Sequence, residues 1–164
     1  MDPVSFGQYT VIRQLGSGGM ADVYLARDPS LGREVAVKSP NLEIAGDDIL
    51  NRFVVEAKAI AQLEHPAIVP LYEYGRQDGR PYLVMRYMRG GSLADRIAQR
   101  LLSLPEAATI VDRVGDALDY AHAHGILHRD VKPGNILFDD RGAAYLSDFG
   151  IARMIGGGDD MTVY

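Results

Sequence analysis

The sequence predicts an α+β fold in two parts, a β-rich first part and a helical second part. Three observations predict it. Short β-branched and aromatic runs separated by turn residues recur up to Tyr87, helical spacing of apolar residues takes over after Gly90-Gly91, and no internal repeat is present. At 164 residues, 47% hydrophobic and 24% charged, the chain suits one soluble domain or two small lobes.

Tyr9 to Leu15, Asp22 to Arg27 and Arg33 to Lys38 read as strands of an antiparallel meander. Gly16-Ser17-Gly18-Gly19 and Asp28-Pro29-Ser30-Leu31-Gly32 supply the turns between them. From Asp47 to Leu63 the period becomes helical. Ile49, Phe53, Ala57 and Ile60 share one face, and Asp47 and Asp48 stand near the positive N-terminal end. Ile68 to Tyr74 and Pro81 to Tyr87 are two further strands joined through Gln77-Asp78-Gly79-Arg80. The expected sheet has five strands, covered by one helix.

Gly90-Gly91 reads as a flexible hinge. Ser92 can cap a helix from Leu93 to about Leu101, and Ser103 with Glu106 has the spacing of a capping box. The helix that box opens carries Ile110, Val111, Val114, Leu118 and Ala121 on one face until Gly125 ends it. Ile136 to Phe138 and Ala144 to Ser147 form a hairpin around Asp140-Arg141-Gly142, with Asn135 and Asp148 at opposite ends of the paired strands. Neighbouring strands lie about 4.8 Å apart, so both residues can reach one metal site. Gly156-Gly157-Gly158-Asp159-Asp160 is a polar, flexible segment.

Composition excludes several classes. A formal net charge of −5 with no basic run argues against a nucleic-acid surface. The absence of cysteine excludes disulfides and thiolate metal sites. No apolar stretch is long enough to span a membrane, and Met1-Asp2-Pro3-Val4-Ser5 lacks the features of a signal peptide, so a cytoplasmic location is expected.

The chemistry concentrates in His124-Gly125-Ile126-Leu127-His128-Arg129-Asp130-Val131-Lys132-Pro133-Gly134-Asn135. This stretch places a carboxylate, an ammonium and an amide at fixed offsets after a helix. Asp130 sits where a carboxylate accepts the proton of an incoming hydroxyl, Lys132 where a cation offsets phosphate charge, and Asn135 where an amide oxygen holds Mg²⁺. Asp148-Phe149-Gly150 then adds a second metal carboxylate. The set resembles the eukaryotic-like Ser/Thr protein kinases, particularly their bacterial members, from about Tyr9 to about Arg153. The resemblance implies a protein-kinase-like two-lobed fold. Residues 1–88 would be a complete N-lobe and residues 89–164 a partial helical C-lobe that stops within the activation segment.

Other residues take their expected roles from that resemblance. Gly16-Ser17-Gly18-Gly19-Met20-Ala21-Asp22-Val23 matches the glycine-rich loop over nucleotide phosphates, with Ala21 in place of its third glycine. Lys38 would pair the α- and β-phosphates of ATP and be held by Glu56. Val23 and Ala36 from above and Leu137 from below would contact the purine, and Met85 would stand at the back. Leu15, Gly16, Gly18 and the backbone of Tyr87 and Met88 would complete the nucleotide site, and Asn135 and Asp148 would hold Mg²⁺. His128 would pack with Phe149, Ile60 and Leu71 rather than act as a base. Arg129 would meet a phosphate on the activation segment, with Thr162 as the candidate site. Arg86 stands where family members often carry Glu. Asp47-Asp48, Asp139-Asp140 and Asp159-Asp160 read as solvated turns and helix starts.

The implied function is ATP- and Mg²⁺-dependent transfer of a γ-phosphoryl group to a Ser or Thr hydroxyl of a protein. Lys132 favours Ser/Thr over Tyr specificity. The alternatives are a small-molecule phosphotransferase and a catalytically impaired remnant that binds nucleotide or a partner. The expected lower-lobe helices do not appear before Tyr164, so a weakened hold on Asp130 is expected. So is an exposed apolar patch on the order of several hundred Å² along the Ile110-to-Ala121 helix.

Overall fold

A strand whose residues are buried on both faces belongs at the centre of a sheet, and two strands here meet that description. β4 (Arg33–Pro40) and β6 (Arg80–Arg86) pair antiparallel with Ala36 opposite Met85 and Val37 opposite Val84. The computed structural model describes residues 4–18, 21–41, 53–54, 57–58 and 60–149. Around the central pair run β1 (Ser5–Phe6), β2 (Tyr9–Ser17), β3 (Ala21–Asp28) and β5 (Leu71–Gln77), in the order β1-β2-β3-β4-β6-β5.

The sheet therefore has six strands, not five. The extra one, β1, is two residues long, too short to carry a period-2 pattern, and turns back onto β2 through Gly7 at φ 56°. The sheet curls until its outer strands meet. The Gly7 N–H donates to the Gln77 side chain, and the Tyr9 hydroxyl donates to Glu73 at 2.5 Å. The Tyr82 ring fills the space left by the missing side chains of Gly7 and Gly75.

Pleating sorts the side chains into two layers. Val35, Val37, Tyr82 and Val84 pack with Tyr9 and Ala26 on one face. Leu83 packs on the other with Phe53 and Ala57, which are helical. Most of the helix expected over 47–63 lies outside the described residues.

The fifth strand begins at Leu71 rather than Ile68, because Ile68 is taken by a different partner. It bridges Leu146 in parallel, while Leu146 N–H donates to Ala67 O at 2.7 Å and Val69 N–H to Leu146 O at 2.9 Å. Pro70 has no N–H with which to continue the ladder.

The second part starts with α1 (Leu93–Gln99), capped by Ser92 and Asp95, and α2 (Leu104–Ala123), capped by Ser103 and Glu106. Both caps are capping boxes; the second is the one expected from spacing. In α2 the buried face is Ile110, Val114, Ala117 and Ala121. Val111 is 69% exposed, because one residue turns the helix by about 100° from Ile110. Among the described residues most of the face expected to be bare packs into the largest core, against Leu63, Ile68, Phe138 and Leu146, and of the five expected apolar residues Val111 alone is exposed. A small hairpin, β7 (Ile136–Phe138) and β8 (Ala144–Leu146), supplies much of that cover.

The glycine pair is not a flexible hinge. Gly90 N–H donates to Phe138 O at 2.8 Å, and Phe138 N–H donates to Gly91 O at 2.9 Å. A Cβ on Gly90 would stand 2.5 Å from Asp139 O and 2.7 Å from Phe138 Cβ. Glycine is needed here for close approach of two backbones.

Candidate functional site

The site is assembled where α2 ends. Gly125, at φ 74°, reverses the chain, and Ile126 N–H caps Ala121 O at 2.9 Å. The loop that follows is anchored by His128, which is 2% exposed. Its Nε2 donates to Ser147 O at 2.8 Å and its Nδ1 accepts the Asp130 N–H at 3.2 Å, the tautomer these partners require. Burial pushes the imidazole pKa below its usual value, partly opposed by the Ser147 bond. Both nitrogens are used, so His128 holds the loop as a neutral ring. It packs on Phe149 at 4.6 Å, and Phe149, Ile60 and Leu71 line one small cavity of about 30 Å³.

Asp130 is bound on two sides. Lys132 Nζ lies 2.8 Å from its Oδ2, and Asn135 Nδ2 donates to its backbone oxygen at 2.8 Å and to Oδ2 at 3.1 Å. The Lys132 ammonium beside Asp130, with help from the Asn135 amide, holds its carboxyl below the ordinary carboxylate range. Asp130 is therefore an anion at neutral pH, able to accept a hydrogen bond.

Asn135 sits on a 3₁₀ turn, Pro133–Asn135, and is 6% exposed. Its backbone oxygen accepts Ser147 N–H at 2.8 Å. In an antiparallel hairpin the start of β7 and the end of β8 coincide. Asn135 and Asp148 thus flank the same open end, not the opposite ends expected from the sequence.

Lys38 reaches this end from β4. Its Nζ lies 2.6 Å from Asp148 Oδ1, a contact between residues 110 apart in the chain. The Lys38 stem is buried because Ala36 and Lys38 share the face of β4 turned toward the second part. Arg129 and Asp148 both adopt positive φ, 61° and 56°. A non-glycine residue held there stores roughly 1–3 kcal/mol of strain that the surrounding bonds must offset.

A cavity of about 410 Å³ opens beside these groups. Leu15, Gly16, Val23, Ala36, Lys38, Met85, Tyr87, Met88, Leu137 and Asp148 line it, so nearly the whole expected nucleotide set converges. Gly18 does not line it; its N–H closes a turn onto Ala21 O at 3.0 Å. Leu15 is aimed by a register shift between Gln14 and Gly16 in β2. The cavity also takes in Gly91, Ser92, Asp95, Gly134 and Ser147, none of which was expected. Ser92 was legible only as a helix cap, and nothing local marks it, or Asp95 three residues on, as a cavity wall.

Glu56, Gly150 and Thr162 lie outside the described residues. Among the described residues no cluster of three His, Cys, Asp or Glu side chains is placed to hold a metal. The Asp148 carboxylate at the cavity wall and the Asn135 amide, a buried neighbour of Asp130, nevertheless suit Mg²⁺ in kind, since it takes few protein ligands and completes its shell with water and phosphate oxygens. No helix among the described residues is long and apolar enough to cross a membrane.

The protein kinase domain family matches residues 9–164. The serine/threonine-protein kinase PknJ of Mycobacterium tuberculosis is 42% identical over 158 residues, covering 92% of this chain and 26% of that protein. PrkC of Bacillus subtilis, also a serine/threonine-protein kinase, is 43% identical over 151 residues, 91% of this chain and 23% of its own length. The chain thus spans about a quarter of the length of these relatives. The crystal structure of the PknI kinase domain of M. tuberculosis is 36% identical and superposes with a TM-score of 0.80, covering 93% of this chain and 63% of that one. A curled antiparallel sheet, a capped helix delivering Asp130 and a lysine-to-carboxylate contact across the cleft accord with these matches, and the chain belongs to the protein kinase domain family.

Proposed function

We propose that this chain carries the nucleotide site and phosphoryl-transfer groups of an ATP-dependent protein serine/threonine kinase. The observation that carries the reading is the 2.6 Å contact of Lys38 with Asp148 at the wall of the cavity that Ala36, Met85 and Leu137 also line. Residues 1–88 act as the upper lobe and residues 89–164 as part of the lower one, with the cavity between them.

The apolar walls, Val23 and Ala36 above and Leu137 below, take the purine, and the backbone at Tyr87 and Met88 bonds its edge. Lys38 exchanges its carboxylate partner for the α- and β-phosphates and is steadied by Glu56. Asn135 and Asp148 are the residues that would hold Mg²⁺, which when bound offsets charge on the phosphates. Asp130 accepts a hydrogen bond from the substrate hydroxyl and orients its oxygen toward the γ-phosphorus. The new P–O bond forms as the bond to the bridging oxygen of ADP breaks, and the hydroxyl proton is taken up at Asp130 or by solvent. Lys132, 2.8 Å from Asp130, offsets charge on the transferred group. The reading takes the site to be cytoplasmic, where ATP is available, and the acceptor to be a Ser or Thr of a protein.

The test is transfer of labelled γ-phosphate to the chain itself and to a generic basic protein with Mg²⁺. Asp130→Asn should lower the rate by at least about 100-fold, the low end for a proton-handling group. An unchanged rate would remove Asp130 from the mechanism. A chain that is stabilised by ATP yet transfers nothing would leave a nucleotide-binding module in place of a kinase.

A further inference from the structure

The last residue of β6 is an arginine whose side chain leaves its own sheet. Arg86 Nη1 donates to the Tyr145 hydroxyl at 3.3 Å, and Nη2 lies 3.8 Å from Asp139 Oδ2. The Tyr145 hydroxyl donates in turn to the same Asp139 oxygen at 3.3 Å, which closes a ring of three groups. The guanidinium also stands 5.4 Å from the centre of the Tyr145 ring.

Both partners are rigidly held. Asp139 accepts the N–H groups of Arg141 at 3.0 Å and Ala143 at 2.8 Å, which fixes it in the β7–β8 turn. Tyr145 lies on β8 beside Arg113 of α2, whose guanidinium is 5.3 Å from the ring and whose Nε donates to Ala144 O at 2.7 Å. At its other end Arg86 is tied to the sheet, with its N–H on Pro70 O at 3.0 Å. A continuous path of contacts therefore runs from β6 through Arg86 and Tyr145 to α2.

This path crosses the same gap as the cavity. Met85, Arg86 and Tyr87 line its upper and linking walls, and Leu137, paired with Tyr145 in the hairpin, lines its lower wall. The linker's bonds to Phe138 and the Lys38–Asp148 contact also tie the two walls, and the Arg86 ring adds a further attachment at the linking wall.

We propose that Arg86 is a positioning residue that latches the sheet to the β7–β8 hairpin and so sets the aperture of the nucleotide cavity. The proposal rests on the nucleotide reading above. It adds a residue at the cavity wall whose ties to Tyr145 and Asp139 keep the chain in the binding-competent arrangement. If loss of the latch leaves about a tenth of the molecules competent, nucleotide affinity falls about tenfold.

The experiment compares wild type, Arg86→Glu, Arg86→Lys and Tyr145→Phe by calorimetric titration with ATP and Mg²⁺, alongside urea midpoints and amide exchange without nucleotide. Arg86→Glu, which faces Asp139 with a like charge, should weaken ATP binding about tenfold and speed exchange at Gly90 and Phe138, with a near-normal urea midpoint. Tyr145→Phe removes one oxygen only and should weaken binding about threefold; it carries the test if Arg86→Glu does not fold. Arg86→Lys keeps the charge without the planar fork and should fall between wild type and Arg86→Glu. Wild-type affinity and exchange in Arg86→Glu would overturn the latch, as would a lowered urea midpoint with affinity unchanged in the folded fraction. A wild-type chain that binds no ATP would sink the nucleotide reading instead, and the exchange rates would still decide whether Arg86 joins the two walls.

Discussion

Two glycines in this chain should respond to alanine with opposite signs. At Gly90 an added Cβ would lie 2.5 Å from Asp139 O, 2.7 Å from Phe138 Cβ and 2.8 Å from Phe138 O. None of these atoms can swing away by a rotamer change, and the φ of Gly90 is outside the left-handed region, so the penalty is one of contact alone. Overpacking of this kind costs about 1–3 kcal/mol. Moving the backbones apart also weakens the Gly90-to-Phe138 hydrogen bond of 2.8 Å, about 0.5–1.5 kcal/mol more. Gly90→Ala should therefore destabilise the protein by about 2–4 kcal/mol, a fall in melting temperature of about 10 °C for a chain of this size. Gly115, inside α2, has nothing within 4 Å of its virtual Cβ, so Gly115→Ala should stabilise by about 1 kcal/mol through helix propensity. Urea unfolding of the two variants side by side is the assay. A Gly90→Ala midpoint equal to wild type would refute the close-approach reading and restore the flexible hinge.

Other outcomes follow from the site and its supports. Lys38→Met removes the ammonium from the cavity wall and leaves Asp148 without it; transfer should drop on the order of 100-fold or more, and an unchanged rate would count against the pocket. Glu106 has its carboxyl pushed down to about 2, first by Arg100 and then by the Ser103 N–H and hydroxyl. A carboxyl with a folded pKa below its usual 4.5 contributes stability above that value and loses it as pH falls toward about 2, so Glu106→Gln should flatten the acid limb of melting temperature over this window. His128 is displaced in the same direction but is a base, so its contribution is complete above the ordinary 6.5 and shrinks as pH falls below it. An imidazole NMR titration should find His128 still neutral at pH 6.5; half-protonation there or above would contradict the buried ring.

Local chemistry was readable wherever a residue's partner is a near neighbour in the chain. Ser103 and Glu106 announce a capping box because both bonds close within one turn, and the Asp130, Lys132 and Asn135 cluster closes within five residues. Spacing misled where a distant partner outbid the local pattern. Ile68 looks like the start of β5, but Leu146 takes it. Gly90-Gly91 looks like a hinge, but Phe138 and Asp139 pack against it.

From residue order alone come the α+β class, which rests on periodicity and caps, and the kinase-like motifs, which rest on fixed offsets; most of the side chains around the cavity follow only from the resemblance those motifs carry. Tertiary structure alone decided that Lys38 meets Asp148, that the sheet curls onto a sixth strand, and that Arg86 reaches Tyr145 and Asp139. Those contacts join segments far apart in the chain. Their geometry is set by how the sheet twists and how the core packs, and neither leaves a local signature.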